Sequence, residues 1–83
     1  MEQIAFTRIP LHARRSAVSR VDTSPHLLEM LASDPDPDVR LGVARHPATP
    51  VLSLQRLAVD AVARVAAVAR IRVAAERVVA EAG

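Results

Sequence analysis

A chain of 83 residues carrying a net charge of +2 makes one small domain at most, and folding leaves about 40% of its unfolded-chain surface wet. It has no cysteine, which excludes disulfides, thiolate metal sites, iron–sulfur clusters and cysteine nucleophiles together. All eleven basic residues are Arg, set against nine acids, so the chain is no polycation. Phe6 is its single aromatic, and Ala and Val supply most of the apolar mass.

In chain order, the N-terminus has Glu2 and Arg8 where a secretory signal needs a basic start followed by an apolar run. Residues 8–20 hold Arg8, Arg14, Arg15 and Arg20 with no acid between them. Ser24 reads as a helix N-cap with Pro25 at the first helical position, and Leu28 and Leu31 fall on one face. After Asp34-Pro35, Asp36 caps a second helix with Pro37 in its first turn and Asp38 at the positive end of its dipole. His46-Pro47 stops that helix, since the residue before a proline is driven out of the helical region. Thr49-Pro50 then reads as a further cap, followed by Leu54 and Leu57.

From Val51 to Ala82 there is neither Pro nor Gly. Wound at 100° per residue, Leu54, Leu57, Ala61, Val65, Val68 and Ala69 share a stripe, with Arg56, Asp60 and Arg64 opposite at i,i+4 spacing. Continued further, the same wheel places Arg72 and Glu76 inside that stripe. The chain is therefore expected to turn near Asp60 or around Arg70–Val73. A turn near Asp60 makes residues 71–82 an end helix, with pairs Arg72–Glu76 and Arg77–Glu81. No alternating strand pattern occurs, so the expected fold is all-α with short connections.

A repeat underlies this order. Arg20, Arg45 and Arg70 are spaced by 25 residues and each closes a similar phrase, Arg15–Arg20, Arg40–Arg45 and Arg64–Arg70. Ser24-Pro25 with Leu28, Leu31, Ala32 and Asp34 matches Thr49-Pro50 with Leu54, Leu57, Ala58 and Asp60. The chain thus reads as one domain over 1–83, with units at about 14–34, 35–60 and a degenerate 61–83. Leu28 and Leu31 should occupy the same buried sites as Leu54 and Leu57, and Val18, Val43 and Val68 should face one shared core.

The run from Leu31 to Pro50, with Leu54, Leu57-Ala58 and Asp60 after it, resembles the leucine-rich repeat variant family within the wider HEAT-like helical repeats. The match is close over 31–60, looser over 14–30, and decays where Ala61-Val62-Ala63 replaces the Asp-Pro turn. The resemblance implies a right-handed superhelix of short helices: here an α-solenoid of about two and a half 25-residue repeats with a C-terminal end helix. Some family members carry an N-terminal cysteine cluster, which a chain without cysteine does not share.

Chemistry is sparse. His12, His26 and His46 are never three or four residues apart, so no helix face offers a two-His clamp; His46 reads as a turn residue bonded to backbone. Asp34, Asp36 and Asp38 alternate like a calcium loop, but Val39 and Arg45 stand where its Gly and bidentate Glu belong, and helix capping explains them better. Gly42 and Gly83 cannot build a phosphate loop; Gly42 reads as a site of close helix packing. No serine sits in an elbow motif. No catalytic residue, cofactor, metal or small-molecule substrate is expected.

The remaining expectation is a non-enzymatic, macromolecule-binding module. A segment of about 20 apolar residues for spanning a membrane is missing, because Arg64, Arg70, Arg72, Glu76 and Arg77 interrupt the C-terminal half; a soluble cytoplasmic protein of bacterial type is expected. Fewer than the three or so repeats such arrays need leaves the last helix uncovered, so Val68, Ile71, Val78 and Val79 are expected to meet a protein partner or a second copy. The alternative is nucleic acid held through phosphates by Arg8, Arg14, Arg15, Arg20, Arg45 and Arg70. Against it stand the balancing acids, the lack of stacking aromatics, and a structural role for repeated Arg against repeated Asp turns.

Overall fold

The structure, a computed structural model, describes residues 8–82; residues 1–7 and 83, which the single-domain reading also spans, lie outside the described residues. Five helices and no strand occur among them: α1 (Leu11–Ser19), α2 (Pro25–Leu31), α3 (Pro37–Arg45), α4 (Val51–Leu57) and α5 (Ala63–Ala82). Their starts follow local chemistry. Ser24 Oγ accepts the Leu27 N–H ahead of Pro25, and Asp36 Oδ1 accepts the Asp38 N–H ahead of Pro37.

The α3 helix is central. It packs against α1 on one side and α5 on the other, while α2 and α4 lie against α3 and α4 also lies against α5. Leu28, Leu31, Val39, Val43, Leu54, Leu57 and Val65 are all but fully buried, and each such side chain contributes about 1.5–3 kcal/mol when taken out of water. The shared Leu sites and the Val core follow the expectation: Val43 is in the core cluster, and Val18 and Val68 pack against it half-buried.

The repeat is present in the contacts, but its period is 26 residues, not 25. Arg14 bonds Asp34 and Arg40 bonds Asp60. Asp34 Oδ1 accepts the Asp36 N–H at 2.9 Å, and Asp60 Oδ1 accepts the Val62 N–H at 2.8 Å. Thr23 Oγ1 donates to the Ala17 carbonyl, and Thr49 Oγ1 to the Val43 carbonyl. Each second contact lies 26 positions after the first.

This corrects the Thr49 cap. Pro50 is the N-cap of α4 and supplies no side-chain bond, while Thr49 is buried and ties back to the end of α3. The likeness of Ser24-Pro25 to Thr49-Pro50 had slipped the alignment by one residue. In the 26-residue register Arg20, His46 and Arg72 are equivalent, as are Arg14, Arg40 and Ala66. Neither Arg20, Arg45 and Arg70 nor Arg15, Arg40 and Arg64 forms a column.

The turn near Asp60 is as expected: α4 ends at Leu57 and α5 begins at Ala63. Asp60 keeps the turn although Ala61-Val62-Ala63 lacks the prolines. That break also dissolves the Arg56–Asp60–Arg64 series, whose members bond Ser33, Arg40 and Asp38 respectively. Residues 71–82 are no separate end helix, because α5 runs unbroken through Arg70–Val73. Nor does Arg72 turn to Glu76. Its Nη1 donates to the carbonyls of Ala44 and His46, at 2.8 and 2.9 Å, where the C-terminal end of α3 is negative. An Arg inside the apolar stripe is tolerated because those orphan carbonyls need donors.

Gly42 is where α1 and α3 approach. A Cβ built on it would stand 2.7 Å from Val18 Cβ, so any larger residue must displace Val18. Gly42→Ala is expected to cost about 1–3 kcal/mol despite alanine's better helix propensity. Adding Val18→Ala should recover much of that loss in a urea-denaturation double-mutant cycle. In the same assay Leu31→Ala and Leu57→Ala should each cost about 2–5 kcal/mol. Val59→Ala, at a position 78% exposed, should stay within about 0.5 kcal/mol of the parent.

Candidate functional site

Most of the Arg side chains are committed to architecture. Arg14 Nε lies 2.8 Å from Asp34 Oδ2, with side-chain exposures of 10% and 0%, and its Nη1 donates to the Ile9 carbonyl. Arg40 Nε lies 2.8 Å from Asp60 Oδ2, and its Nη1 donates to the carbonyls of Asp34 and Pro35. The second clip therefore fastens one turn to the next. Burial alone would push the Asp60 carboxyl up. The Arg40 hydrogen bond, the Val62 N–H and the Arg40 charge outweigh it and hold Asp60 below its usual range.

The other cations expected to meet phosphate are scattered. Arg15 pairs with Asp36 and Asp38, at 3.0 and 3.4 Å. Arg20 pairs with Asp22 on the surface; the hydrogen bond and charge between them lower Asp22 and raise Arg20. Arg70 Nε donates to the Ala58 carbonyl, and Arg8 is exposed at the far N-terminal end of the described chain. Arg15, Arg20 and Arg45 do line one open groove of about 670 Å³ between α1 and α3, walled by Val18, Leu41 and Pro47. Within it Arg45 is exposed and in no ion pair among the described residues. Arg8, Arg14 and Arg70 are not part of that groove, so the six do not form one surface.

The histidines divide likewise. His46 is buried, and its Nδ1 accepts the Ala48 N–H at 3.0 Å, which leaves Nε2 protonated to donate to the Arg20 carbonyl at 2.6 Å. Both ring nitrogens are used, matching the expected turn role and leaving none for a metal or a proton relay. His12 and His26 are exposed on different helices. No group of three or more metal-ligating side chains occurs among the described residues, and no described helix is long and apolar enough to cross a membrane.

The feature without a structural use is the outer face of α5. Val65, Ala66 and Ala69 are buried, with Arg72, Val73 and Glu76 half-buried beyond them. On the wheel these lie together; Ile71, Ala74, Ala75, Val78 and Ala82 lie on the other side and Val79 beside Arg72, all exposed. Ile71, Val78 and Val79 are 69%, 64% and 68% exposed. Val68 packs half-buried against the core and stands at the margin of this face. Val21, in the α1–α2 turn, and Leu52, on α4 beside the exposed Val51, are also exposed, and no periodic run in the sequence marks them.

Acid should test the Asp60 clip. Its lowered folded-state pKa means the stabilisation is complete above the unfolded value of about 3.9 and is lost as pH falls through the folded one. The urea midpoint of the parent should therefore drop more steeply than that of Asp60→Asn as pH is lowered from about 5.

Comparison with protein-family models, with curated proteins and with solved structures finds no match for this chain.

Proposed function

We propose that this protein is a non-enzymatic helical-repeat module that binds another protein or itself through the outer face of α5. In this reading the chain is a short right-handed α-solenoid of the leucine-rich repeat variant or HEAT-like kind, and α5 is its terminal helix. The observation that carries it is the unequal use of α5. A 20-residue helix buries no residue after Ala69 and leaves three large apolar side chains about two-thirds exposed. Contiguous apolar surface on so small a domain marks an interaction site more often than accident.

Phosphate binding has less support. Arg14, Arg15 and Arg20 already face carboxylates, and the groove beside Arg45 has no aromatic for base stacking.

The test is affinity capture with the parent and with Ile71→Glu/Val78→Glu, both checked by circular dichroism for an unchanged helical fold. Proteins bound by the parent should be lost from the double variant. Recovery of the same proteins by both forms would refute the α5 reading. Salt-sensitive binding of an oligonucleotide that Arg45→Ala weakens would favour the phosphate alternative instead.

A further inference from the structure

Two side chains of the groove between α1 and α3 have no part in holding the fold together. Arg45 is exposed and in no ion pair among the described residues. In the 26-residue register it corresponds to Ser19 and Ile71, so the repeat does not call for a cation there. Nor does the negative end of α3 depend on it, because Arg72 already donates to the Ala44 and His46 carbonyls. Val21, which lines the same groove, is 84% exposed. Arg45, Pro47 and Val21 gather at the end where His46 Nε2 donates to the Arg20 carbonyl; Arg15 and Asp38 pair at the other end.

We propose that this groove binds a peptide segment of another protein that carries one Asp or Glu beside an apolar side chain. The carboxylate meets Arg45, and the apolar group rests on Val21 and Pro47. The site includes no residue of α5 and stands independently of the α5 reading. Charge selects the ligand. Arg15 faces Asp36 and Asp38, and Arg20 faces Asp22, so Arg45 alone of the groove's three arginines keeps a charge to neutralise. One free cation among three acids suits a single carboxylate and repels a run of phosphates. Shape selects a chain. From Asp38 to Arg45 α3 rises about 10 Å, the reach of three or four extended residues. The groove, of about 670 Å³, is open along this length, so it leaves a small molecule largely wet, whereas a peptide covers it by running on.

A phage library of random heptapeptides panned on the parent should enrich sequences with an acid next to an apolar residue. The most enriched peptide, synthesised with blocked ends and a fluorescent label, is then titrated by anisotropy. Arg45→Ala, at an exposed position and with unchanged circular dichroism, should weaken binding by about tenfold or more. Val21→Ser should weaken it by about threefold. Replacing the acid of the peptide by its amide should cost about as much as Arg45→Ala, and combining the two should cost no more than either alone. Ile71→Glu/Val78→Glu should bind the peptide as the parent does. Panning that enriches no acid-bearing sequence, a peptide bound equally by Arg45→Ala, or losses that add in the combined exchange would overturn the proposal. So would loss of the peptide from Ile71→Glu/Val78→Glu, which would move it to α5. Displacement by a short oligothymidylate at lower concentration than the unlabelled peptide requires would overturn it in favour of phosphate.

Discussion

Everything in this fold is spaced by an Arg–Asp clip that acts at a distance of 20 residues. In both copies the Asp Oδ1 accepts a backbone N–H of its own turn and Oδ2 receives the guanidinium Nε of the helix before last; at Asp60, Oδ1 also accepts from Arg40 Nη2. The guanidinium in turn reaches back to a carbonyl at the entry of its own helix. Buried ion pairs are poor sources of net stability, because desolvation consumes most of the attraction. Their use here is geometric. Breaking one partner leaves a charge with nowhere to go, so the turns hold one separation and the Leu and Val side chains between them meet in one register. The apolar core then supplies the bulk of the free energy, and no buried side-chain polar atom among the described residues lacks a partner.

The local half of this plan is readable from the chain. Ser24 and Asp36 cap helices because short oxygen-bearing side chains suit that position, and Leu28, Leu31, Leu54 and Leu57 are spaced to share one face. The clip is not readable in the same way, since no local rule points from Arg14 to an acid 20 residues on. The 25-residue period misleads for a related reason. In a chain rich in Arg, Ala and Val, the 25-residue recurrence of Arg20, Arg45 and Arg70 is visible on paper yet joins positions with different surroundings. Thr49 mimics Ser24 in sequence while bonding like Thr23. Hydrogen bonds, not residue likeness, fix the register.

The same logic explains why the surface of α5 was easier to anticipate than the fate of the cations. An exposed apolar side chain needs no partner to be recognised, only a helix whose buried face is full, and Val65 and Ala69 fill it. An Arg is ambiguous until its acceptor is located. Arg72, expected to join Glu76, instead closes the end of α3, and Arg14, a candidate for phosphate, is enclosed with Asp34. In the last unit Ala66 stands where Arg14 and Arg40 stand before it. The ladder of clips stops there, and the helix is free to run on to Ala82, past the layer that the clips define.

The close approach at Gly42 has a corollary for how the units relate. Val18 lies over Gly42 between α1 and α3. Twenty-six residues on, the bulk is reversed: Ala44 occupies the place of Val18, and Val68, packed on the cluster that contains Ala44, occupies the place of Gly42. Each junction is complementary, but by opposite assignments of large and small. Two copies of the middle unit set in tandem would bring Ala44 against Gly42 and leave a hollow, and joining the first helix directly to the last would drive Val18 into Val68. Although the backbone repeats, its segments are therefore not interchangeable parts. Their order is written into which side of each seam carries the methyl groups, so the array can neither lengthen nor shorten by simple duplication or loss of a unit without repacking a seam.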